Sequence, residues 1–302
     1  MTTTNKRTKA QQALTINGVD AGGVMTAQIQ YGYENIIESA PDGLQAAIMD
    51  REIQFCRGTI TTQDWIEILN ILTGTVGTYV CYERKSGVAE ATGYIEYTIT
   101  NPVIHSVSLN QTKGGYMTCT FSFECLAADE TEGFADMLAI ADSHAAPTYI
   151  PAARGGFRVK TIAHGALSIY HTMSFTFAIN LKLDKACNDA DVGYTCVDAR
   201  VDGLTAGGSI TTQDSGVTTN ALKAQLLLAA ARGNLVITVA QGSAAADKVI
   251  TIAGVIFGSA GGNQNVSASF TDHSLNYMVT NDAGTPLTLS GTDKILAIAD
   301  AV

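Results

Sequence analysis

The sequence predicts a mainly β fold of the α+β class, in which two tandem antiparallel β-barrel or sandwich domains each carry one α-helix. Three observations predict this fold. Two strings, Ile-Thr-Thr-Gln-Asp at 60–64 and Leu-Ala-Ile-Ala-Asp at 138–142, recur in the same order at 210–214 and 296–300. Apolar and polar residues alternate over long segments, which is typical of half-buried strands. One segment with helical spacing follows the first string in each copy.

The duplication extends over nearly the whole chain of 302 residues. Without a gap, residues 25–64 align on 175–214 with ten identities, among them Gly58 with Gly208. Repeats of this kind are typical of symmetric assemblies. The landmarks divide the chain into a basic N-terminal arm (1–12), a first β domain (13–144), a linker (145–162) and a second β domain (163–302).

Long alternating segments predict the main strands at 24–33 and 172–183. In the second of these, Phe175, Phe177 and Ile179 alternate with polar residues, so one face of the strand is apolar. The Gly114-Gly115 pair and the strand up to Phe123 are aligned with Gly261-Gly262 and a strand containing Val266, Ala268 and Phe270. Further strands are predicted at 51–61, 78–84, 93–100, 103–110, 117–123, 234–240, 248–258 and 275–281.

One helix is predicted after the repeated pentapeptide in each copy. In the first, Thr62 is the expected N-cap, and Gly74 stops the helix. Its apolar stripe consists of Trp65, Ile68, Leu69 and Leu72. In the second, Thr219 or Asn220 begins the helix and Gly233 ends it. The spacing of Leu222, Gln225, Leu226 and Ala229 indicates this second helix.

The composition excludes several classes of function. Charged residues make up 15% of the chain and the net charge is −10, which is unsuited to gripping phosphates. A surface poor in charge is typical of subunits that bury much of it against neighbours. The six cysteines and five histidines show no metal-ligand or catalytic spacing, and no Gly-rich segment has the form of a phosphate loop. We therefore predict no enzyme activity, no metal and no cofactor.

The N-terminal segment has no apolar core of the kind that a signal peptide requires, and no apolar run is long enough to span a bilayer. We therefore expect the chain to fold in a cytoplasm, with its cysteines as buried free thiols and without binding to a membrane. The basic arm around Lys6 and Lys9 is expected to dock on the acidic first repeat of its own chain or of a neighbour.

A polar segment follows the long strand in each copy, at 38–50 and at 188–200. Because both copies keep it at the same place, we predict that these two segments are loops used in assembly. The residues proposed for this role are Glu38, Pro41, Asp42, Gly43, Leu44, Asn188, Asp189, Asp191, Gly193 and Tyr194.

The segment at 97–109, Tyr-Thr-Ile-Thr-Asn-Pro-Val-Ile-His-Ser-Val-Ser-Leu, followed by Gly114-Gly115 and the strand at 116–124, resembles the second half of phage tail tube proteins. That family is related in architecture to the inner tube of type VI secretion systems. It combines a small β-barrel with one helix, a long hairpin loop and a final Gly-rich hairpin. Both copies follow this order, so the resemblance implies two tandem tail-tube-like domains.

The resemblance also implies a function. Three chains would form a ring with pseudo-sixfold symmetry, and stacked rings would form the tail conduit of a virion, assembled in the host cytoplasm. Expected partners are further copies of the chain and the tail terminator, hub and tape measure proteins. The two polar loops would then join stacked rings, and DNA would pass the lumen without specific binding. The predicted lumen residues are Thr26, Gln28, Gln30, Ser174, Thr176 and Asn180.

Two other functions remain open at this point. The first is another virion part built on the same unit, such as a tail hub, a distal-tail ring or a capsid decoration trimer. The second is a carbohydrate-binding or hydrolytic β-protein. Sugar-binding sites commonly use an aromatic side chain as a platform. Trp65 is the single Trp of this chain and belongs to the apolar stripe of a predicted helix, which argues against sugar binding.

Overall fold

The structure of the chain is a computed structural model. It describes residues 8–16, 18–21, 23–39, 46–71, 77–85, 87–128, 134–147, 156–165, 167–190, 193–213, 232–241, 247–263, 272–281 and 294–300. Strands account for 76% and helices for 4% of the structure, and the sheets are antiparallel. The predicted mainly β fold class is therefore confirmed.

The first repeat contains nine strands and two short α-helices among its described residues. The elements are β1 (Thr8–Ile16), β2 (Val19–Ala21), β3 (Val24–Ser39), β4 (Ala46–Thr62), α1 (Trp65–Ile71), β5 (Tyr79–Lys85), β6 (Tyr94–Ile99), β7 (Pro102–Thr112), β8 (Thr118–Cys125), α2 (Phe134–Met137) and β9 (Leu138–His144). A 3₁₀ turn at Glu90–Thr92 lies between β5 and β6.

The second repeat contains eight strands in its described part. They are β10 (Arg158–His164), β11 (Leu167–Ile169), β12 (Thr172–Ala190), β13 (Gly193–Thr212), β14 (Gly233–Ala240), β15 (Lys248–Asn263), β16 (Asp272–Val279) and β17 (Leu296–Asp300). The range predicted to form the second helix lies almost entirely outside the described residues, as do Val266, Ala268 and Phe270.

The strand connections of the two repeats are the same. The first repeat has a five-stranded sheet in the order β2-β1-β5-β6-β9 and a run of four strands in the order β7-β8-β4-β3. The second repeat has the matching orders β11-β10-β14-β15-β17 and β15-β16-β13-β12. In the second repeat the long strand β15 belongs to both runs. Its first half is equivalent to β6 and its second half to β7. A left-handed residue occurs at the bend in each case, Asn101 with φ 50° and Gly254 with φ 68°.

The two repeats are joined by direct pairing of β12 with β7. Their ladder runs from Ser174 opposite Thr112 to Asn180 opposite Ser106. The two runs of four strands therefore form one continuous run of eight, in the order β15-β16-β13-β12-β7-β8-β4-β3. We call this run the eight-stranded sheet.

The hydrophobic core lies on one face of the eight-stranded sheet, because buried apolar residues alternate with more exposed ones along its strands. In the first repeat the ring of Tyr79 packs edge-on against Phe121 and Phe123, with centroids 5.9 and 5.3 Å apart. Trp65 of α1 packs edge-on against Phe157, with centroids 5.3 Å apart. Phe157 thus belongs to the core of the first repeat although it directly precedes β10, which begins inside the range predicted as linker (145–162).

Several local predictions are revised by the structure. Helix α1 begins at Trp65, and Thr62 lies three residues earlier, where its Oγ1 accepts a hydrogen bond of 3.0 Å from the backbone N–H of Asp64. Cys196 is disulfide-bonded and lies opposite Cys187 in the β12–β13 ladder, so the prediction of six free thiols was wrong. Spacing in sequence does not reveal which residues face each other across a long hairpin. The free cysteines of the described part are Cys56, Cys81, Cys119 and Cys125, all buried.

The ladders also revise the alignment of the repeats. Ile60 pairs with Phe121, and the repeated Ile210 pairs with Leu275, so Leu275 is the equivalent of Phe121. By the same reasoning Tyr277 is the equivalent of Phe123, in place of Phe270. The Gly114-Gly115 pair is a turn between β7 and β8, whereas Gly261-Gly262 lies inside β15, so the two pairs are not equivalent.

Candidate functional site

The face of the eight-stranded sheet that points away from the core is lined by hydroxyl and amide side chains. We call it the polar face. It arises from period-two alternation: in β8, for example, Thr118, Thr120 and Ser122 alternate with the buried Cys119 and Phe121. Its uncharged members include Thr26, Gln28, Gln30, Thr59, Thr61, Ser106, Ser108, Asn110, Thr118, Thr120, Ser122, Ser174, Thr176, Asn180, Thr205, Ser209, Thr211, Ser274 and Asn276.

Hydrogen bonds between neighbouring strands tie these side chains together. The hydroxyl of Thr61 lies 2.9 Å from that of Thr120, and the hydroxyl of Thr59 lies 3.0 Å from that of Ser122. Across the joint between the repeats, Ser106 donates a hydrogen bond of 3.0 Å to Asn180 Oδ1. Cross-strand pairs of this kind stabilise the sheet and also satisfy hydroxyl groups that would otherwise offer themselves to a ligand.

The six predicted lumen residues all lie on this one face. Gln28, Gln30 and Asn180 are exposed, and so is Thr26, whereas Ser174 and Thr176 are partly buried. The hydroxyl of Thr176 is held by Ser209, whose backbone N–H donates to it over 3.0 Å. The structure thus brings residues from both repeats onto a common surface. Whether that surface lines a lumen stays a prediction.

Ion pairs border the polar face at the end nearer the β3–β4 hairpin. Lys185 Nζ lies 2.6 Å from Glu124 Oε1, and Lys182 Nζ lies 2.5 Å from Asp202 Oδ2. The guanidinium of Arg57 donates from Nε to Gln30 Oε1 over 3.3 Å and stacks on Phe55 at 4.5 Å from the ring centroid. Each of these cations is therefore already engaged by the chain itself.

An open depression of about 230 Å³ lies at this border. His105, an extra residue at a register shift in β7, reaches into it, and burial lowers the pKa of its imidazole. The imidazole lies there among the amide and hydroxyl groups of the polar face. Within the described residues there is also no group of three His, Cys, Asp or Glu able to hold a metal ion. The remaining lining residues are Gln28, Gln30, Arg57, Gly58, Thr59, Ser122 and Phe123.

The segments predicted as assembly loops are mostly strand. Residues 46–50 belong to β4 and residues 193–200 to β13, so the two ranges form long two-stranded hairpins. The two segments show no regular apolar alternation, which is why their sequences were predicted as loops. Glu38 lies in β3, Asn188 and Asp189 in β12, and Gly193 and Tyr194 in β13. Pro41, Asp42, Gly43, Leu44 and Asp191 lie outside the described residues.

The second hairpin contacts the first repeat of the same chain. Tyr194 pairs in parallel with Ile53 of β4, and the backbone N–H of Ala127 donates to the carbonyl of Cys196 over 2.9 Å. The Lys185–Glu124 ion pair connects the same two parts of the chain. These contacts join the two repeats of one chain. The contact between stacked rings that the sequence analysis predicted for these segments stays a prediction.

A feature that the sequence analysis missed is an aromatic ring lying over a repeated glycine. A Cβ at Gly58 would lie 2.6 Å from the ring of Phe123, and a Cβ at Gly208 would lie 2.7 Å from the hydroxyl of Tyr277. That hydroxyl passes over Gly208 and donates to the carbonyl of Thr176 over 2.6 Å. The Gly58/Gly208 identity in the repeat alignment was the available signal, since a glycine inside a strand marks close approach of another group.

Neither the scan against protein-family models nor the search of curated proteins found a match. In the part of the chain that is described, no helix is long and apolar enough to cross a membrane.

Proposed function

We propose that the chain is a structural subunit of a phage tail tube, in which stacked rings of this protein form a conduit for DNA. The observation that carries the proposal is the head-to-tail junction of the two repeats. One edge strand of the second repeat pairs with the opposite edge strand of the first, so the same junction can be repeated from chain to chain. A repeated head-to-tail contact generates a ring when the rotation closes.

The stagger of the eight-stranded sheet supports a closed barrel. Followed across the ladders, Ile60 is level with Phe121, Val107, Ile179 and finally Ala206. The repeat equivalent of Ile60 is Ile210, four residues farther along β13 than Ala206. Each step of four strands therefore shifts the register by four residues. The register thus shifts by one residue per strand. An eight-stranded barrel with a shear of eight has the same shift per strand, and its strands tilt by about 36°.

The number of chains would then set only the diameter of the barrel. Three chains would supply 24 strands, since each contributes eight. At a spacing of about 4.8 Å and a tilt of about 36°, such a barrel is roughly 45 Å across at the backbone. Barrels of about 16–18 strands already leave an aqueous channel. A ring of this size would therefore be open in the middle.

The chemistry of the two sheet surfaces supports the same assignment. The polar face offers hydroxyls and amides that are bonded to one another, whereas phosphate binding requires free Lys and Arg. DNA could move along such a wall without being held. The five-stranded sheet of the first repeat carries charged groups instead, with Lys85 paired to Asp142 and His144 Nε2 3.0 Å from Glu96 Oε2. We assign the polar face to the lumen and the charged sheet to the outside.

The partners of this function are further copies of the chain within and between rings. The tail terminator, hub and tape measure proteins are part of the same proposal, and the place of action is the virion. Nothing in the polar face calls for a cofactor, and the proposal includes no enzymatic step.

Electron microscopy of the purified chain tests the proposal. We expect stacked rings or tubes with an open centre, and a mass of three chains per ring by native mass spectrometry. Isolated trimers that never stack would favour a hub, distal-tail ring or decoration protein. A compact monomer at every concentration, in particular with the polar face binding an oligosaccharide, would overturn the assignment.

A further inference from the structure

The eight-stranded sheet ends in two strands whose outer edges are open within the described part of the chain. At one end β3 pairs with β4 alone. At the other end the second half of β15 pairs with β16, and its ladder to β14 stops at Val255. Open edges of long strands are templates for pairing with another chain.

The burial of β3 differs from that of its equivalent, β12. Ile29 and Phe177 are equivalent, because they face the repeated Gly58 and Gly208. Two residues farther on, Tyr31 is therefore equivalent to Ile179. Ile179 is only 1% exposed because β7 of the first repeat lies beside it, whereas Tyr31 is 48% exposed. The side chain of Tyr31 thus lies where the core of a neighbouring repeat would cover it.

The strand that would cover it can be identified by the same equivalence. Val107 of β7 faces Phe121, and Ala260 of β15 faces Leu275, the equivalent of Phe121. Ala260 is therefore the counterpart of Val107. Leu109 corresponds in the same way to Gly262, two residues farther along β15.

We propose that, in the ring, β3 of one chain pairs antiparallel with the second half of β15 of the next chain, in the register of the β12–β7 ladder. This register places Tyr31 opposite Ala260, Ile29 opposite Gly262 and Gln30 opposite Gly261. The partner is a second copy of this chain. The inference rests on the ring of the proposed function and adds which strands close it and in which register.

The residue sizes make this junction different from the one inside the chain. Inside the chain, Ile179 lies opposite Val107 and Phe177 opposite Leu109. Between chains, Tyr31 lies opposite Ala260 and Ile29 lies opposite Gly262. The large side chains are therefore on β3 and the small residues on β15. The chain already uses this packing, with Phe123 over Gly58 and Tyr277 over Gly208.

The difference in size also makes the two junctions selective. Tyr31 opposite Val107 would be overpacked, and Ile179 opposite Ala260 would leave a cavity, both of which disfavour association. Each repeat therefore pairs with its correct neighbour, although the two repeats share one topology. This prevents exchange of repeats between chains during assembly.

Cysteine cross-linking tests the register. Gln30→Cys and Gly261→Cys in one chain should form covalent dimers and trimers with oxidised glutathione, because directly opposite residues have Cβ atoms about 4.5–5.5 Å apart. Gln30→Cys with Ser259→Cys, two residues out of register, should cross-link at least tenfold more slowly. The internal control is Ser108→Cys with Ala178→Cys, the equivalent pair inside the chain. It should oxidise without any change of mass on a denaturing gel.

The outcomes separate this inference from the proposed function. Cross-linked trimers that never stack into tubes would support the junction and overturn the tube. Tubes in which the Gln30/Ser259 pair links faster than Gln30/Gly261 would overturn the register and leave the tube intact. As a second readout, Tyr31→Asp should give a folded monomer, whereas Ile140→Asp, equally exposed on β9, should still form trimers. Trimers of Tyr31→Asp at wild-type concentration would also overturn the proposal.

Discussion

Replacing Gly208 by alanine should destabilise the chain strongly, although the change adds only one methyl group. An added Cβ would lie 1.9 Å from the carbonyl oxygen of Thr176 and 2.7 Å from the hydroxyl of Tyr277. The first contact is with backbone, so β12 and β13 must move apart locally. The second is with the hydroxyl that donates to the same carbonyl over 2.6 Å. The methyl group therefore intrudes between a donor and its acceptor.

The expected cost combines two terms. Overpacking that forces a backbone shift costs about 1–3 kcal/mol. Loss of the Tyr277 hydrogen bond costs about 0.5–1.5 kcal/mol. We expect the free energy of unfolding to fall by about 2–4 kcal/mol. At about 2–4 °C per kcal/mol, this is a decrease in Tm of roughly 4–16 °C.

Differential scanning calorimetry of three variants checks this reasoning. Gly203→Ala is the matched control on the same strand, because its Cβ would lie 3.7 Å from Lys182 Cβ, an ordinary contact. It should change stability by less than about 0.5 kcal/mol. Tyr277→Phe removes only the hydroxyl and isolates the hydrogen-bond term.

The double variant distinguishes the two collisions. If the Thr176 carbonyl dominates, Gly208→Ala should cost nearly as much in a Tyr277→Phe background as in the wild type. Equal Tm values for Gly208→Ala and Gly203→Ala would refute the reasoning. They would mean that β12 and β13 can move apart at Gly208 without a loss of stability.

Three further predictions concern the hydrophobic core, the polar face and a buried cysteine thiol. Phe157→Ala should lower the free energy of unfolding by about 3–5 kcal/mol in urea titrations, because it empties the site beside Trp65; Arg158→Ala, an exposed neighbour, is the control. Gln28→Lys with Asn180→Lys should leave folding within about 1 kcal/mol and assembly intact, while the tubes retain DNA in a salt-dependent way; retention equal to wild type at low salt would place this face outside the lumen. Burial raises the pKa of the Cys119 thiol above its usual 9.0, so the folded state keeps a proton that the unfolded state releases. Stability is therefore present below pH 9 and should fall as the pH rises above it, and Cys119→Ala should reduce that slope by up to about 1.4 kcal/mol per pH unit; an unchanged slope would contradict the assignment.

The features that the sequence predicted well are those set by local pattern. Period-two alternation identified both faces of β12, because one face packs on the core and the other does not. The repeated Leu-Ala-Ile-Ala-Asp string marked equivalent strands, and the ladders agree, since Leu138 pairs with Ile99 and Leu296 with Ile252. The pentapeptide located the turn from β4 into α1.

The features that the sequence missed depend on partners far along the chain. The ungapped alignment matched Ile29 with Ile179, but the ladders match Ile29 with Phe177, because the hairpin segment from Phe177 to Gly208 is two residues longer than the segment from Ile29 to Gly58. An alignment without gaps cannot include such a difference in length, so every pair on the far side of the hairpin tip is displaced by two residues. The polar hairpins were predicted as loops because their sequences have no hydrophobic period. The junction of β12 with β7 has no sequence signal of its own.

The duplication acquires a physical meaning from these junctions. Inside the chain, β12 and β7 belong to the same polypeptide, so each strand is present at a high effective concentration for the other. Their pairing therefore forms when the chain folds. The junction between chains has no such help and depends on chain concentration and on the fit of its side chains. The repeats differ on the strands that would meet a neighbour: β3 carries Tyr31 where β12 has Ile179, and β15 has Ala260 where β7 has Val107. In the proposed ring of three chains, a fused pair halves the number of contacts that form between separate chains, which leaves three such contacts per ring.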